Sequence, residues 1–503
     1  MPEYLLGVDL GTGGCKTTII DTKGRFVSDG YTEYPSYHPH IGWVEQNPSD
    51  WLPAMVNSLR IASEKGGFDL KDIIALSVDA SAHNTVLLDK NGDVLRNTIM
   101  WQDQRARQEA EYLKANALAL IKDTTFAVPS PTWSLPQLMW VKGHEPQVFN
   151  QISRVLFIDD YVRYLLTGAC STTHIQAQGS LMFDNVHMKW SEDLVRQSGL
   201  PMSALPEIKK ATDIAGHITA AAGAYSGLKE GTPVVMGASD TALESYAVGG
   251  LRPGDCVLKM ATAGGVNVFR EVGRPFQDTF VYSHVVDGMW YYGRGTVSAA
   301  QALRWYRDTF CQKEIAEERA GGVNTYQLLD REAEAIAPGA DGLFFHPYMS
   351  GERAPYWDTK LRASFTGFSS LHTRGHFNRA LLEGGTFSLW QCFGVMEEFG
   401  RIEKISFVGG GAKSPLWRSI LADVFNRTIV KFKRDDSSLG AAMLAGVALG
   451  VFGSHEEAVK KCAAVDCVTE PNPENVEKYK KLFPLYVEIH DDLAATYRKY
   501  EEE

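Results

Sequence analysis

The first twenty residues of the chain place a glycine-rich turn between two apolar, β-branched runs. The first run ends at Asp9, the turn is Gly11-Thr12-Gly13-Gly14, and the second run ends at Asp21. This pattern predicts a β-hairpin whose tip is nearly bare backbone. Such a tip suits a phosphate because glycine lets amide groups approach an anion closely; an ordinary hairpin is the plainer alternative. The spacing matches neither a Walker A loop nor a GxGxxG turn.

A second strand–turn–strand segment begins about 250 residues later, which is too long a period for a solenoid and indicates duplicated domains. It runs from Asp255 to Phe269, and its turn contains Thr262 and Gly264. Strands and helices alternate up to about Gly250, which predicts an α/β fold. A chain of 503 residues also exceeds what one hydrophobic core usually supports, so we expect at least two large domains.

Net charge, apolar runs and cysteine spacing limit the partners and the compartment that we expect for this protein. The formal net charge of −11 argues against nucleic acid or an anionic membrane. No apolar run is long enough to cross a bilayer, and the N-terminus lacks the features of a signal peptide, so we expect a cytoplasmic protein. The seven cysteines contain no CxxC pair, which favours reduced thiols over disulfides or a zinc site.

Two further strands end in polar residues that suit an active site. The strand from Ile73 to Asp79 leads into a loop that contains His83, and loops at such ends carry active sites in open α/β sheets. A second apolar strand, Pro233 to Met236, is followed by Asp240 at the start of a helix. Asp240 is the best candidate for a general base, and an ordinary helix N-cap is an equal alternative.

A third glycine turn, Gly409 to Ser414, precedes Pro415, which suits the first position of a helix. We expect the amides from Gly410 to Ser414 to point outward. Three such turns in duplicated halves predict a split nucleotide site. Phosphoryl transfer requires little beyond positioning, charge neutralisation and a base.

These segments resemble the FGGY carbohydrate kinases of the actin/hexokinase-like superfamily, from Tyr4 to about Gly453. The resemblance is carried by the opening hairpin, by Gly237-Ala238-Ser239-Asp240 and by the third glycine turn. Two longer stretches add to it: Ser134 to His144, in which Gln137 replaces the usual lysine, and Ala363 to Phe368. It implies two duplicated ribonuclease H-like domains around a central cleft.

The implied domains have three ranges. Residues 1–250 would bind the sugar and carry the first phosphate turn and the catalytic aspartate, and residues 251–455 would bind the nucleotide. Residues 456–503 would form a helical tail packed on the body.

Within the family, the loop Ser350-Gly351-Glu352-Arg353-Ala354-Pro355 and the stretch Trp101-Gln102-Asp103-Gln104-Arg105 are most similar to xylulose kinases. The resemblance implies transfer of the γ-phosphate of ATP to a ketopentose, giving D-xylulose 5-phosphate from D-xylulose. Ser81-Ala82-His83-Asn84 departs from the QMHG of those enzymes, and Thr241 replaces a frequent asparagine. Another ketose, a polyol, an autoinducer-2-like compound or a non-catalytic sugar-binding role therefore remain as alternatives.

The resemblance also implies a role for individual residues. Asp240 would be the catalytic base, and Asp9 would be the Mg²⁺ ligand. The residues that would bind the acceptor are Ala82, His83, Trp101, Asp103, Arg105, Asp240 and Thr241. The residues that would bind ATP are Gly11, Thr12, Gly13, Lys16, Thr262, Gly264, Trp305, Gly410, Gly411 and Ser414. Each of three residues also has a structural interpretation. Arg105 could equally form a structural ion pair, Trp305 could pack against the core, and Lys16 could lie on the exposed face of its strand. The expected partners are a small sugar or polyol and ATP, with a homodimer left open.

Overall fold

The computed structural model describes residues 2–499. In this part of the chain the strands are β1 (Tyr4–Leu10), β2 (Gly14–Asp21), β3 (Phe26–Glu33), β4 (Glu45–Gln46), β5 (Ile73–Ala80), β6 (Thr85–Leu88), β7 (Thr98–Ile99), β8 (Arg154–Phe157), β9 (Ser171–Thr173), β10 (Phe183–Asp184), β11 (Lys189–Trp190), β12 (Glu207–Lys209), β13 (Ile214–His217), β14 (Pro233–Val235), β15 (Cys256–Met260), β16 (Gly264–Arg270), β17 (Phe280–Ser283), β18 (Trp290–Thr296), β19 (Phe344–His346), β20 (Ser364–Thr366), β21 (Lys404–Val408), β22 (Thr428–Phe432) and β23 (Val465–Thr469).

The α-helices in the same residues are α1 (Trp51–Gly66), α2 (Arg107–Thr125), α3 (Ser134–His144), α4 (Pro146–Phe149), α5 (Ile158–Thr167), α6 (His174–Gln178), α7 (Glu192–Ser198), α8 (Ala220–Ser226), α9 (Asp240–Ala247), α10 (Ala300–Phe310), α11 (Gln312–Arg319), α12 (Thr325–Glu334), α13 (Arg374–Met396), α14 (Pro415–Phe425), α15 (Ser437–Ala448), α16 (His455–Cys462) and α17 (Pro473–Tyr497).

The described chain divides into two compact units. The first runs to Leu251 and also contains Glu271–Tyr291 and Arg434–Ala464. The second contains Arg252–Arg270, Tyr292–Lys433 and the chain from Val465 onward. The three domain ranges inferred from the sequence remain a proposal about function, and residues 1 and 500–503 of those ranges lie outside the described residues. In the fold, however, residues 434–464 belong to the first unit.

The sheet of the first unit has the strand order β13–β14–β5–β1–β2–β3. The opening hairpin is confirmed: β1 is antiparallel to β2, from Tyr4 opposite Asp21 to Leu10 opposite Cys15. On its other side β1 is parallel to β5, and β5 is parallel to β14. The carboxyl ends of three parallel strands therefore meet at one edge of this sheet.

The second unit repeats this arrangement. Its strands β23–β22–β21–β15–β16 are neighbours in that order, which corresponds to β13–β14–β5–β1–β2 in the first unit. The strand directions also match, because β15 is antiparallel to β16 and parallel to β21, which is parallel to β22. The prediction of two duplicated α/β domains is thereby confirmed.

In the first unit, the two faces of β1 have different neighbours. Leu6, Val8 and Leu10 are fully buried in an apolar cluster that includes Trp51 and Leu59 of α1. Alternate residues of a strand point to opposite faces, so Gly7 and Asp9 lie on the other face. Helix α15 crosses this second face.

The C-terminal helix α17 is anchored in the second unit by a buried polar network. The Tyr479 hydroxyl donates to Glu383 Oε1 at 2.7 Å, and Arg379 Nη2 donates to the same hydroxyl at 2.7 Å. Both partners of Tyr479 lie on α13. These bonds satisfy polar groups that would be costly to bury unpaired, and they fix α17 against α13.

At Gly7, β1 and α15 approach each other closely. A Cβ atom at Gly7 would lie 1.8 Å from Ser438 O and 2.5 Å from Ala442 N. Both atoms belong to the backbone of α15, so the contact cannot be relieved by a rotamer change. We expect Gly7→Ala to lower the free energy of unfolding by about 3 kcal/mol, measured by urea denaturation.

The control for this variant is Gly143→Ala, because a Cβ atom at that helical glycine would meet nothing within 4 Å. We expect the control to be neutral, or more stable by up to about 1 kcal/mol. Equal stability of the two variants would contradict the proposed close approach of α15 to β1.

Candidate active site

Three aspartates meet at the carboxyl edge of the first unit's sheet. Asp9 and Asp79 are register partners on the parallel strands β1 and β5. Ser239 forms an isolated parallel bridge with Ala80, which places Asp240 at the same edge. Ligands and catalytic groups of open α/β sheets lie at such an edge, so this is the candidate active site.

The electrostatics of this edge are unusual. Burial raises the pKa of Asp9 to about 7, and the negative charges of Asp240 and Asp436 act in the same direction. Burial, followed by the charge of Asp9, raises the pKa of Asp79 well above its usual range. Asp9 Oδ1 and both carboxylate oxygens of Asp79 are buried without a hydrogen-bond partner in residues 2–499. Such oxygens fit a hard divalent cation like Mg²⁺.

Asp240 is the first residue of α9. Its Oδ1 accepts hydrogen bonds from Thr241 N at 2.6 Å and from Thr241 Oγ1 at 3.2 Å. The N-cap residue of α9 is Ser239, so the interpretation of Asp240 as an ordinary N-cap is wrong. Gly237 makes the approach possible: its φ is 82°, and a Cβ atom there would lie 2.2 Å from Val78 O of β5.

His83 is held rigidly in the loop after β5. Its Nδ1 donates to Gly179 O at 2.9 Å, and its carbonyl accepts from Ser134 Oγ at 2.6 Å. Asn84 closes the loop by donating to Ala82 O at 2.9 Å. Burial lowers the pKa of His83 to about 4. The ring is therefore neutral near pH 7, and with Nδ1 donating, Nε2 is the acceptor that it offers to a ligand.

Aromatic side chains that the sequence analysis did not select line this region. The rings of Trp133 and Tyr282 are stacked with centroids 6.4 Å apart, and those of Tyr282 and Tyr291 are stacked at 5.6 Å. The ring of His83 meets Trp133 edge-on at 4.8 Å. The Asp240 charge contributes to raising the pKa of Tyr282 well above its usual range, although burial contributes most. Tyr282 thus lies near both His83 and Asp240, and only the fold reveals this.

Asp103 and Arg105, two of the predicted acceptor residues, are paired with each other. Arg105 Nη2 donates to Asp103 Oδ2 at 2.8 Å, and Arg105 Nη1 donates to Glu45 Oε1 at 2.7 Å. The guanidinium also lies over the ring of Trp43 at 3.7 Å. Trp101, the third member of this stretch, donates its backbone N–H to Asn84 Oδ1 at 2.6 Å. These contacts favour the structural alternative for Arg105; acceptor binding by the three residues stays a prediction.

Side-chain hydrogen bonds to its backbone carbonyls fix the tip of the opening hairpin. Tyr34, Gln46 and Tyr31 donate their side-chain hydrogens to the carbonyls of Gly11, Thr12 and Gly13, with the Gln46 bond at 2.7 Å. A Cβ atom at Gly11 would lie 3.7 and 3.9 Å from the two carboxylate oxygens of Asp9, so the turn lies directly beside that carboxylate.

Lys16, predicted to bind ATP, forms an ion pair with Asp436. The distance from Lys16 Nζ to Asp436 Oδ2 is 2.9 Å, and the lysine side chain is 30% exposed. The Lys16 charge counters the effect of burial and holds the pKa of Asp436 below its usual range. Asp436 also caps α15 by accepting from Leu439 N at 3.2 Å. The sequence analysis did not select Asp436, although an aspartate before a helical apolar run is a recognisable capping signal.

In the second unit, the turn between β15 and β16 contains Thr262 and leads into Gly264. The start of α10 lies against this turn, because Ala299 N and Gln301 N both donate to Thr262 O. Arg304 Nη2 donates to Thr262 Oγ1 at 2.6 Å. The structure thus adds a cation, Arg304, to the predicted phosphate turn.

The third glycine turn forms a short 3₁₀ turn over Gly410–Lys413. A Cβ atom at Gly411 would lie 2.9 Å from Met260 Sδ, which explains the need for glycine there. Ser414 caps α14 by accepting from Trp417 N at 3.0 Å. The expectation that every amide from Gly410 to Ser414 points outward is wrong, because Ser414 N donates to Gly411 O and Ala412 N also donates within the turn.

Trp305, predicted to line the nucleoside pocket, lies on α10 with 39% of its surface exposed. Its ring contacts Phe310 edge-on, with centroids 5.6 Å apart. Asp9, Asp79, Asp240 and the His83 loop belong to the first unit, whereas Trp305 and the turns at Thr262 and Gly410 belong to the second.

The duplicated topology is that of actin/hexokinase-like sugar kinases, and comparison with known proteins narrows the class further. The model of the FGGY family of carbohydrate kinases, N-terminal domain, matches residues 4–246, and the C-terminal domain model matches residues 267–449. The chain therefore belongs to the FGGY family of carbohydrate kinases. It is an enzyme that phosphorylates a sugar-like acceptor, and ATP is the phosphoryl donor in this family.

The relatives of this chain are named for different acceptors. A xylulose kinase of Bacillus subtilis is 32% identical over 492 residues, which cover 97% of each chain. The solved structure of a xylulose kinase from Rhodospirillum rubrum has a TM-score of 0.89 at 27% identity and covers 99% of this chain and 100% of that one. A gluconate kinase structure from Lactobacillus acidophilus has a TM-score of 0.90 at 27% identity, with the same coverage.

Among residues 2–499, no helix has both the length and the apolar character required to cross a lipid bilayer.

The burial of His83 predicts how stability depends on pH. The folded-state pKa is about 4, below the ordinary histidine value of about 6.5. The unfolded chain therefore binds more protons between these values, and the contribution of His83 to stability is present above pH 6.5 and lost as the pH falls toward 4. When the pH falls from about 7.5 to about 5, the free energy of unfolding of the wild type should drop by about 2 kcal/mol more than that of His83→Gln, because the variant has no imidazole to protonate at this position.

The measurement is urea denaturation of both proteins at the two pH values. The control is His217→Gln, because His217 is exposed and should leave the difference unchanged. If His83→Gln and the wild type lose the same free energy, His83 is not buried as a neutral ring.

Proposed function

We propose that this protein transfers the γ-phosphate of ATP to a hydroxyl of a neutral ketose, with D-xylulose the first candidate. Asp240 acts as the general base that accepts the proton of the attacking hydroxyl. The observation that carries the proposal is the position of Asp240. It begins a helix at the carboxyl edge of the sheet, beside Asp9 and close to the loop that presents His83. A base needs this combination of fixed geometry and restricted solvent.

The acceptor is held by the first unit. Neutral His83 offers Nε2 as a hydrogen-bond acceptor, and Thr241 offers a hydroxyl next to the base. The stacked rings of Trp133 and Tyr282 provide a flat apolar wall, which suits the carbon-bound face of a sugar. Each of these contacts suits an uncharged polyhydroxyl compound.

The charge of the site supports a neutral acceptor over a sugar acid. Asp9, Asp79 and Asp240 would repel a carboxylate, and a buried anion requires a paired cation. Two buried arginines of the first unit are engaged elsewhere. Arg105 binds Asp103 and Glu45, and Arg163 binds Asp159 and Asp160. This chemistry favours xylulose over gluconate, although both are named in relatives of similar identity.

The residues fit ATP with Mg²⁺. Asp9 would hold the metal, which supplies charge neutralisation for the phosphates, and the Gly11–Gly13 turn lies beside that carboxylate. In the second unit, the Thr262 turn with Arg304 suits a phosphate, and the Gly410–Ser414 turn suits the nucleoside. Lys16 would act on ATP only after release from Asp436. A homodimer stays a prediction.

Substrate choice is tested by ADP production with a panel of acceptors at saturating ATP. We expect kcat/KM for D-xylulose to exceed that for D-gluconate by about 100-fold or more, because the gluconate carboxylate would leave an unpaired buried charge. Xylitol and a tetritol complete the panel. A preference for D-gluconate would reject the neutral-acceptor assignment.

The base assignment is tested with Asp240→Asn, which preserves the shape of the side chain but removes its basicity. We expect kcat to fall by roughly 10²–10⁴-fold, because a general base contributes about that much, with little change in acceptor affinity by calorimetry. The matched control, Asp193→Asn, removes a carboxylate that is 64% exposed and should retain full activity. A kcat within a few-fold of the wild type for Asp240→Asn would assign the base elsewhere.

A further inference from the structure

Asp79 is a buried carboxylate that the proposed kinase reaction uses neither as a base nor as a ligand of substrate or metal. It is fully buried on β5, and neither of its oxygens accepts a well-formed hydrogen bond in the described residues, although the Ser437 side chain acts to lower its pKa. Its register partner on β1 is Asp9, and neighbouring parallel strands project the side chains of register partners to the same face. The two carboxylates therefore lie side by side on the face crossed by α15.

Two adjacent buried carboxylates repel each other strongly. Like charges repel more strongly where little water screens them, and desolvation adds to this cost. Such a pair persists only when a cation or a shared proton offsets the repulsion. The arrangement therefore requires an explanation beyond packing.

The nearest cationic side chain on a neighbouring strand does not offset this repulsion. Lys16 is the register partner of Asp9 on β2, but its ammonium group binds Asp436 at 2.9 Å. Asp240 is bonded to Thr241, and Asp436 is bonded to Lys16 and Leu439 N. Asp9 Oδ1 and the two Asp79 oxygens are the carboxylate atoms of this group that are buried without a hydrogen-bond partner in residues 2–499.

We propose that Asp79 is a second protein ligand, together with Asp9, of the divalent cation that serves the kinase reaction. This inference rests on the proposed function and extends it. Mg²⁺ is held in proteins by one or two carboxylates plus substrate phosphates, which matches two carboxylates beside the Gly11 turn. The independent observation is the unpartnered, fully buried Asp79 side chain, directed at a predicted metal ligand from the neighbouring strand.

The test measures Mn²⁺ binding to the full-length protein without nucleotide or sugar, by electron paramagnetic resonance. We expect Asp79→Asn to weaken Mn²⁺ binding at least about 10-fold, since even outer-sphere partners of a metal contribute 10- to 100-fold. Asp9→Asn should weaken it to a similar extent. The control Asp193→Asn should bind as the wild type does.

Thermal unfolding provides a second readout. Without metal, Asp79→Asn should melt at a higher temperature than the wild type, because one of two repelling carboxylates is gone. The stabilisation by Mn²⁺ should shrink in the same variant, because metal that binds the folded state raises its stability. Asp79→Ser, a smaller polar replacement, should behave in the same way, which guards against a folding defect peculiar to one variant.

Three results would overturn the inference: no Mn²⁺ binding by the wild type, binding by Asp79→Asn within twofold of the wild type, or no loss of metal stabilisation in either variant. The first two results would leave the carboxylates as a proton-sharing pair. ADP production with D-xylulose is measured on the wild type separately. If Asp79 is not a ligand but Asp240→Asn abolishes turnover, the proposed function stands without this inference. If metal binds through Asp79 but D-xylulose is not phosphorylated, only D-xylulose is rejected as the acceptor.

Discussion

The repulsion between Asp9 and Asp79 is the constraint on which the rest of the first unit depends. Strand pairing fixes the two carboxylates next to each other, and the burial of Asp79 and of Asp9 Oδ1 removes water that would otherwise screen them. The apolar cluster on the opposite face of β1 stabilises the sheet against this cost. Lys16 and Asp436 form an ion pair with each other, so the proposed divalent cation would supply the charge that offsets the repulsion.

The two units share a topology but have different side chains at corresponding strand positions. In the second unit, Lys259 and Val408 are register partners on β15 and β21, where the first unit has Asp9 and Asp79. The two units therefore share the hairpin architecture, but only the first has paired carboxylates at these positions. Paired carboxylates suit a divalent cation, and the Lys259–Val408 pair of the second unit lacks them.

The candidate site was partly predictable because some of its signals are local. The glycine turns at Gly11 and Gly410 and the helix start at Asp240 are encoded within a few residues, and family resemblance assigns their roles. The role of Arg105 was ambiguous, since an arginine near a carboxylate in the sequence can equally form an ion pair or bind a ligand. The structure favours the ion pair, because Asp103, Glu45 and the ring of Trp43 surround the guanidinium.

The sequence by itself determined the opening hairpin and the duplicated α/β pattern, because strand periodicity and turn chemistry act over short distances. Only the tertiary structure decided that α15 crosses β1 at Gly7, that Tyr282 joins the acceptor region and that Asp79 lies beside Asp9. These contacts join residues far apart in the chain, and strand register and helix docking, which no local pattern encodes, bring them together.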